Sequence, residues 1–201
     1  MSSLCFMFYV PCFMTKVPVE ISARHIHLSK EDLEKLFGAG YELEKAKQLF
    51  QPSDFACQET INIQNYSNVL KNIRIVGPLR KQTQVEISRT DAISIGVNPP
   101  LRLSGDLKNS AKIVLQGPEG EVELNEGLII AQRHFHCATD EAKNLELKTG
   151  DFISVKIESE RPVIFEKVVV RVEDDYKLCL HLDTDEGNAA GINKKAEGFL
   201  L

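Results

Sequence analysis

The amino-acid sequence predicts a mainly β fold, a barrel or sandwich of short strands rather than a parallel α/β sheet. Two observations predict it: stretches with a two-residue apolar period recur along the 201 residues, and the helical patterns between them are few and short. A third observation is the motif Arg-His-x-His, which occurs at residues 24–27 and again at 133–136. This recurrence indicates a weak internal repeat.

The first half of the chain begins with a predicted strand at residues 17–23, where polar and apolar side chains alternate weakly. Ser29, with Asp32 three positions later, is a typical helix start, and the apolar stripe after it stops at Gly38. A second short helix is predicted at residues 42–50, before a turn-forming segment. The further strands predicted in this half are 60–63, 73–76 and 84–87.

The second half contains more strands and one more helix. Gly-Pro-Glu-Gly at residues 117–120 predicts a hairpin turn, and an apolar run at 128–131 leads into the second histidine motif. A short capped helix is predicted from Thr139 to Leu145. The strands predicted in this half are 111–115, 121–124, 150–158, 163–172 and 176–182.

The overall composition is that of an ordinary soluble globular protein, with 43% apolar and 26% charged residues. A net charge of −5 argues against a broad nucleic-acid-binding surface. The five cysteines are odd in number and include no CxxC pair, so the sequence favours a reducing compartment over a disulfide framework. The predicted location is therefore cytoplasmic.

Residues 1–16 are predicted to form an apolar N-terminal extension. The run from Leu4 to Met14 is too short to span a bilayer, which takes about 20 residues, and no basic residue precedes it as in a secretory signal. Two interpretations stay open. The segment either docks on a partner or reflects an upstream reading of the start codon, with the natural start at Met14.

Histidine placement gives the strongest functional signal in the sequence. Four of the five histidines lie in the two Arg-His-x-His motifs. Residues i and i+2 of a strand share a face, so each motif presents two imidazoles that can bind one metal ion. A later strand in each half carries one more candidate ligand before a Thr-Asp pair. The two predicted three-ligand sets are His25, His27 and Glu86, and His134, His136 and His181.

Three protein ligands leave one coordination position open, which is typical of catalytic rather than structural zinc. Nitrogen and oxygen ligands favour zinc, and they are also compatible with cobalt, manganese or iron. Histidines without a metal role, and a single shared dinuclear site, are alternatives. A cupin has matching spacing from His25 to Gly38, but Val19 stands where its leading glycine belongs. The metallo-β-lactamase pattern fails, because Leu28-Ser29 replaces the required Asp-His.

A basic stretch precedes Glu86. Residues 60–85 contain no Asp or Glu but include Lys71, Arg74, Arg80 and Lys81, which indicates local attraction of an anionic substrate. Arg80 follows the turn-forming Gly77-Pro78, and its guanidinium suits bidentate recognition of phosphate. A solvated strand face with scattered bases is the alternative.

Five segments of the sequence together match one family. They are Ser22-Ala23-Arg24-His25-Ile26-His27-Leu28-Ser29, Gly77-Pro78-Leu79-Arg80, Thr83-Gln84-Val85-Glu86-Ile87-Ser88, Arg133-His134-Phe135-His136 and His181-Leu182-Asp183-Thr184-Asp185-Glu186-Gly187-Asn188. In these segments the chain resembles the phosphate propanoyltransferases of the PduL type, phosphotransacylases associated with propanediol and ethanolamine breakdown. The resemblance covers about residues 17–192.

This resemblance implies two small β-barrels capped by short α-helices, two zinc ions per chain and a homodimer. It implies that residues 24–131 form the first barrel, and that residues 17–23 join 132–201 in the second. The two predicted ligand sets would hold the zinc ions, and Arg80 would bind phosphate as the catalytic group. The residues implied to lie near coenzyme A are Ile21, Ser22, Ala23, Arg74 and Asn188.

The reaction implied is acyl-CoA, with a propanoyl or acetyl group, plus phosphate giving acyl phosphate plus CoA. A non-catalytic, zinc-stabilised scaffold that binds CoA or a shell partner is one alternative, and a zinc hydrolase is another. By this resemblance, family members that are packed into bacterial microcompartments carry an amphipathic helix and a polar linker ahead of the barrel. The extension here is apolar on all sides, which argues against packing with shell or lumen proteins.

Overall fold

A computed structural model describes residues 15–193 and 195–201. The apolar run predicted at residues 4–14 lies outside the described residues. The described residues are mainly β, as the sequence predicts. Within them, no helix has both the length and the apolar character that crossing a membrane requires.

The structure contains short strands and four short helices in the described ranges. The strands are β1 Lys16–Ser22, β2 His25–His27, β3 Lys45–Gln48, β4 Phe55–Asn65, β5 Asn68–Gly77, β6 Gln84–Glu86, β7 Leu101–Arg102, β8 Ala111–Gln116, β9 Glu121–Ala131, β10 His134–Cys137, β11 Phe152–Ile157, β12 Val163–Val172, β13 Cys179–Asp183 and β14 Lys195–Leu200. The helices are α1 Lys30–Phe37, α2 Arg89–Ser94, α3 Thr139–Asn144 and α4 Thr184–Ala189.

The strands close into two barrels, which confirms the predicted fold class. The N-half barrel runs β4-β5-β2-β6-β9-β8 and closes because β8 pairs with both β9 and β4, while β3 and β7 extend its sheet. The C-half barrel runs β1-β13-β10-β12-β11-β14 and is also closed. Each barrel encloses a separate apolar core, and closure leaves none of its six ring strands with a free edge.

The chain crosses from one barrel to the other immediately before each histidine motif. β1 leads into His25 but pairs with β13 and β14 of the C-half barrel. β9 leads into His134 but pairs with β6 and β8 of the N-half barrel. Both motifs therefore begin where the chain crosses from one barrel to the other. We propose that the barrels are also the domains of the chain, residues 24–131 and residues 17–23 with 132–201.

The internal repeat is visible in the strand register. β2 pairs antiparallel with β6 so that His25 lies opposite Glu86, and β10 pairs antiparallel with β13 so that His134 lies opposite His181. β2 and β10 each pair in parallel with a long strand on the other side. The same three-strand arrangement thus places two histidines beside one further candidate ligand in each barrel.

Two predicted helices are confirmed. In α1, the Ser29 hydroxyl accepts a hydrogen bond from the Asp32 amide at 3.1 Å, and Gly38 ends the helix at a φ of 100° that favours glycine. Helix α3 begins at Thr139 as predicted. Its start is capped by the Glu141 carboxylate, which accepts from the amide just before the helix.

Helices α2 and α4 were not expected from the sequence, because each has only six residues and no apolar stripe. They form because each begins with a capping box, in which two polar side chains satisfy free amides at the helix start. Ser88 and Asp91 make this box in α2, and Asp183 and Glu186 make it in α4. Both helices follow the strand of the third candidate ligand, so the repeat includes them.

The helix predicted at residues 42–50 is wrong, because β3 lies there and pairs with β4. The Glu59 carboxylate accepts hydrogen bonds from the Tyr41 hydroxyl at 3.1 Å and from the Glu44 amide at 2.9 Å. The Gln58 amide donates to the Glu44 carbonyl. These tertiary pairings take the backbone groups that a helix would use, and they override the helix-forming composition of the segment.

Candidate active site

A cleft of about 440 Å³ is lined by residues of both barrels and by both predicted ligand sets. Its volume falls in the range of small-molecule binding sites. The crossings of the chain explain this placement, since both histidine motifs start at the boundary between the barrels. The structure therefore brings together side chains that lie about half a chain apart in sequence.

The first ligand set has the geometry of a metal-binding group. The candidate ligand atoms of His25, His27 and Glu86 lie within 4.8 Å of one another, and His25 Nε2 is 3.6 Å from a Glu86 oxygen. His25 Nδ1 donates to the Ala23 carbonyl at 2.9 Å, and His27 Nδ1 donates to the Val76 carbonyl at 3.0 Å. Because a carbonyl can only accept, these bonds place the proton on Nδ1 and leave Nε2 with a free lone pair.

The second set, His134, His136 and His181, is equally compact. The three ring centroids are 4.6, 4.9 and 5.2 Å apart. His134 Nδ1 donates to the Gln132 carbonyl at 2.9 Å, which repeats the bond made by His25. Both ring nitrogens of His136 and Nε2 of His181 are buried without a hydrogen-bond partner in the described part of the chain. Buried polar atoms of this kind are costly, and a bound metal ion satisfies them.

Burial keeps these imidazoles in the neutral form that binds metals. Desolvation lowers the pKa of four buried histidines, His27, His134, His136 and His181. The pKa of His181 falls to about 3. Burial alone would raise the pKa of Glu86, but interactions with the basic groups around it, first His25 and then His134 and Arg80, hold this pKa below its usual value. Glu86 is therefore a carboxylate at neutral pH.

Arg80 is half-buried in the cleft wall and belongs to a hydrogen-bond network with Glu86. Arg80 Nη1 donates to the Ser104 hydroxyl at 2.9 Å, and Gln84 Nε2 donates to the same oxygen at 2.8 Å. Gln84 Nε2 also donates to Glu86. Burial lowers the pKa of Arg80 and nearby carboxylates oppose this, so the guanidinium stays protonated at neutral pH.

Four of the five residues predicted near coenzyme A line the cleft: Ile21, Ser22, Ala23 and Arg74. Arg74 Nη1 donates to two backbone carbonyls of β4, at 2.6 and 2.9 Å. Asn188 is exposed near the end of α4 and is not among the described residues that line the cleft. Its neighbour Gly187 packs against Ile21, so Asn188 lies beside the cleft rather than in its lining.

Sequence reasoning missed several polar residues of the cleft, among them Asp54, Ser104, Arg171 and Tyr176. Arg171 had a signal, because it interrupts an apolar run of valines in β12. No local pattern marks Ser104 or Tyr176, which loops bring to the cleft from positions far along the chain.

The arginine of each histidine motif forms the same ion pair in both barrels. Arg24 Nη1 lies 2.6 Å from a carboxylate oxygen of Asp91, and Arg133 Nη1 lies 2.7 Å from one of Glu186. Asp91 and Glu186 hold equivalent capping positions in α2 and α4. Each ion pair therefore links the segment that carries two histidines to the helix that follows the third candidate ligand, α2 or α4.

Comparison with known proteins agrees with the motifs of the sequence. A family described as phosphate propanoyltransferase matches residues 18–193. A phosphate propanoyltransferase of Thermotoga maritima is 49% identical over 176 residues, 87% of this chain and 84% of that protein. Those of Lachnoclostridium phytofermentans and Salmonella typhimurium are 48% and 47% identical, each over 88% of this chain and over 83% and 84% of their own lengths. The chain therefore belongs to the phosphate propanoyltransferase family.

Proposed function

We propose that the protein transfers an acyl group between coenzyme A and phosphate. Acyl-CoA plus phosphate gives acyl phosphate plus CoA, with propanoyl-CoA or acetyl-CoA as the acyl donor. One observation carries the proposal: a single cleft contains the half-buried Arg80 guanidinium and two compact sets of candidate metal ligands. Relatives named as phosphate propanoyltransferases, 40–49% identical, support it.

We propose that two zinc ions bind per chain, one in each ligand set. The unsatisfied nitrogens of His136 and His181, and the fixed Nδ1 protons of His25 and His134, fit this assignment. Three protein ligands leave a position for substrate. A bound zinc ion supplies Lewis-acid stabilisation of negative charge on an oxygen or a departing thiolate.

Arg80 binds phosphate and lowers the repulsion between phosphate and the anionic CoA. In the reaction, a phosphate oxygen forms a bond to the thioester carbonyl carbon. The carbon–sulfur bond then breaks, and sulfur leaves with the electron pair as CoA thiolate. Because its guanidinium stays protonated, Arg80 acts through its charge and not as a base. Holding the two reactants together lowers the activation barrier by several kcal/mol, and by about 7–11 kcal/mol at most.

The residues proposed to contact CoA are Ile21, Ser22, Ala23 and Arg74, all at the cleft. Asn188 remains a proposed contact for a more distant part of CoA, because it lies outside the cleft lining. A cytoplasmic homodimer is also proposed, from the family resemblance. Helix α1 follows His27 where a cupin requires a strand, which argues against the cupin alternative.

Release of free thiol from propanoyl-CoA, measured with and without phosphate, tests the proposed function. We expect release that depends on phosphate and that rises with its concentration. Equal release without phosphate would identify a hydrolase and refute the proposal. No release under either condition would favour a non-catalytic scaffold that binds CoA. The same assay with acetyl-CoA measures the acyl-chain preference.

Substitution Arg133→Gln is expected to weaken zinc binding in the second ligand set only. It removes the partly buried pair with Glu186 and should lower the free energy of unfolding by about 1–2 kcal/mol. The looser α4 should let zinc leave the set containing His181 about tenfold faster. Zinc release to a chromophoric chelator measures this rate.

The matched control is Lys156→Gln, which breaks an exposed ion pair with Glu158 in the same barrel. We expect its zinc release to equal that of the unsubstituted chain. Substitution Arg24→Gln should speed release from the first set instead, since Arg24 pairs with Asp91. Identical release kinetics in all variants would show that the arginine pairs do not position the ligands.

A further inference from the structure

The cleft contains a further arginine, Arg171, that the proposed reaction does not use. Arg171 lies in β12, where its Cα is the register partner of His136 in the parallel neighbour β10. Side chains at paired positions of adjacent strands point to the same face of a sheet. Both residues line the cleft, so the Arg171 guanidinium faces the second ligand set.

Arg171 differs from the other arginines that line the cleft. Arg24, Arg74 and Arg80 each donate from Nη1 to an acceptor at 2.6 to 2.9 Å. Within the described ranges, the Arg171 guanidinium donates no hydrogen bond, and its ion pair with Glu173 is long, at 3.9 Å. Its side chain is only 25% exposed. A shielded guanidinium with free N–H groups favours an anionic ligand.

Tyr176 holds the Arg171 side chain against the ligand set. The Tyr176 ring stacks on His136, with centroids 4.0 Å apart, and its centroid lies 5.7 Å from the guanidinium carbon of Arg171. The next residue is fixed in turn, because the Gln51 side chain donates to the Lys177 carbonyl at 2.9 Å and accepts from its amide at 3.0 Å. The guanidinium is thus held in place before any ligand binds.

Arg80 and Arg171 approach the cleft from different barrels. After burial, which is the main cause, the charge of Arg171 adds to the lowering of the Arg80 pKa. Both side chains also line the same cleft, so the two cations repel each other across it. An anion between them would relieve this repulsion and would accept hydrogen bonds from both.

We propose that the phosphate substrate is held between Arg80 and Arg171, one guanidinium from each barrel. This inference rests on the proposed function and adds a second phosphate-binding residue to it. Two cations favour a doubly charged anion over water or a carboxylate as the attacking group. The arrangement thus makes the transfer selective for phosphate and disfavours hydrolysis of the thioester.

Substitution Arg171→Gln tests the inference. The KM for phosphate should rise about tenfold or more, while the KM for propanoyl-CoA stays within about twofold. Arg171→Lys keeps the charge but not the planar fork of the guanidinium. Its KM for phosphate should therefore lie between that of the unsubstituted chain and that of Arg171→Gln. A second readout, independent of turnover, is the rise in melting temperature that phosphate produces in the zinc-loaded protein. This rise should shrink in Arg171→Gln.

Arg89→Gln is the matched control, because Arg89 is exposed, pairs with Asn98 and does not line the cleft. An unchanged KM for phosphate in Arg171→Gln would overturn the inference, and so would a rise confined to the KM for propanoyl-CoA. Turnover of the unsubstituted protein without phosphate would refute the proposed function instead. In that case the phosphate-induced rise in melting temperature still tests the inference. An equal rise in the unsubstituted protein and in Arg171→Gln would overturn it. If Arg171→Gln does not fold, the same criteria apply to Arg171→Lys.

Discussion

Substitution Arg80→Ala is expected to lower phosphate-dependent thiol release by about 100- to 1,000-fold. The guanidinium is half-buried and already held by Ser104, so its charge is fixed beside the first ligand set before phosphate arrives. Water that fills the space after substitution cannot supply an equally placed positive charge. Steady-state rates at saturating propanoyl-CoA measure the loss.

Zinc content separates the role of Arg80 in catalysis from a role in holding metal. Two zinc ions per chain should remain in Arg80→Ala, because Arg80 belongs to neither ligand set. Lys81→Ala is the matched control, since Lys81 is the exposed neighbour outside the cleft lining, and it should keep normal turnover. Turnover of Arg80→Ala within about twofold of the unsubstituted chain would exclude the assigned role.

Substitution His134→Ala should reduce bound zinc from two ions per chain to one. His134 is buried, and its Nδ1 bond to the Gln132 carbonyl orients Nε2 toward the other two histidines. Only His136 and His181 remain after the change, and two imidazoles hold zinc far less tightly than three. Turnover should fall by at least about 100-fold, because one side of the cleft loses its Lewis acid. Elemental analysis after gel filtration gives the zinc count.

The reciprocal substitution His25→Ala serves as the control for this experiment. It should empty the first ligand set and leave the second occupied. Each variant then keeps one zinc ion, and this retained ion shows that the variant is folded. Two ions retained by His134→Ala would refute the second site. Loss of both ions from either variant would show that the two sets bind metal as one dinuclear unit.

The two ligand sets differ in charge, which predicts that their metal ions attract an anion to different degrees. The first contains the Glu86 carboxylate, whereas the second contains three neutral imidazoles. A zinc ion in the second set would therefore keep more of its positive charge and attract an anion more strongly. Arg171 adds to the positive charge on that side of the cleft, while Glu86 offsets Arg80 on the other.

Much of the site could be predicted from the sequence because its ligands sit in short, periodic motifs. A strand places His25 and His27, or His134 and His136, on one face whatever the rest of the fold does. The internal repeat then gave the third member of each set, although Glu86 and His181 are different residue types. In the structure, each third member lies directly across from the first histidine of its set.

Other features depend on long-range pairing, which no local pattern records. Residues 42–50 have the composition of a helix, but Glu59 and β4 capture their backbone as strand β3. Ser104 and Tyr176 reach the cleft only when the barrels close around it. Asn188 lies outside the cleft lining, so its predicted place near coenzyme A stays a prediction.

Phosphorus NMR of a reaction containing the zinc-loaded protein, propanoyl-CoA and phosphate tests the central claim most directly. We predict a new acyl phosphate signal that grows in equal amount to the thiol released, with a matching loss of inorganic phosphate. Thiol release with inorganic phosphate unchanged would contradict transfer to phosphate at this cleft.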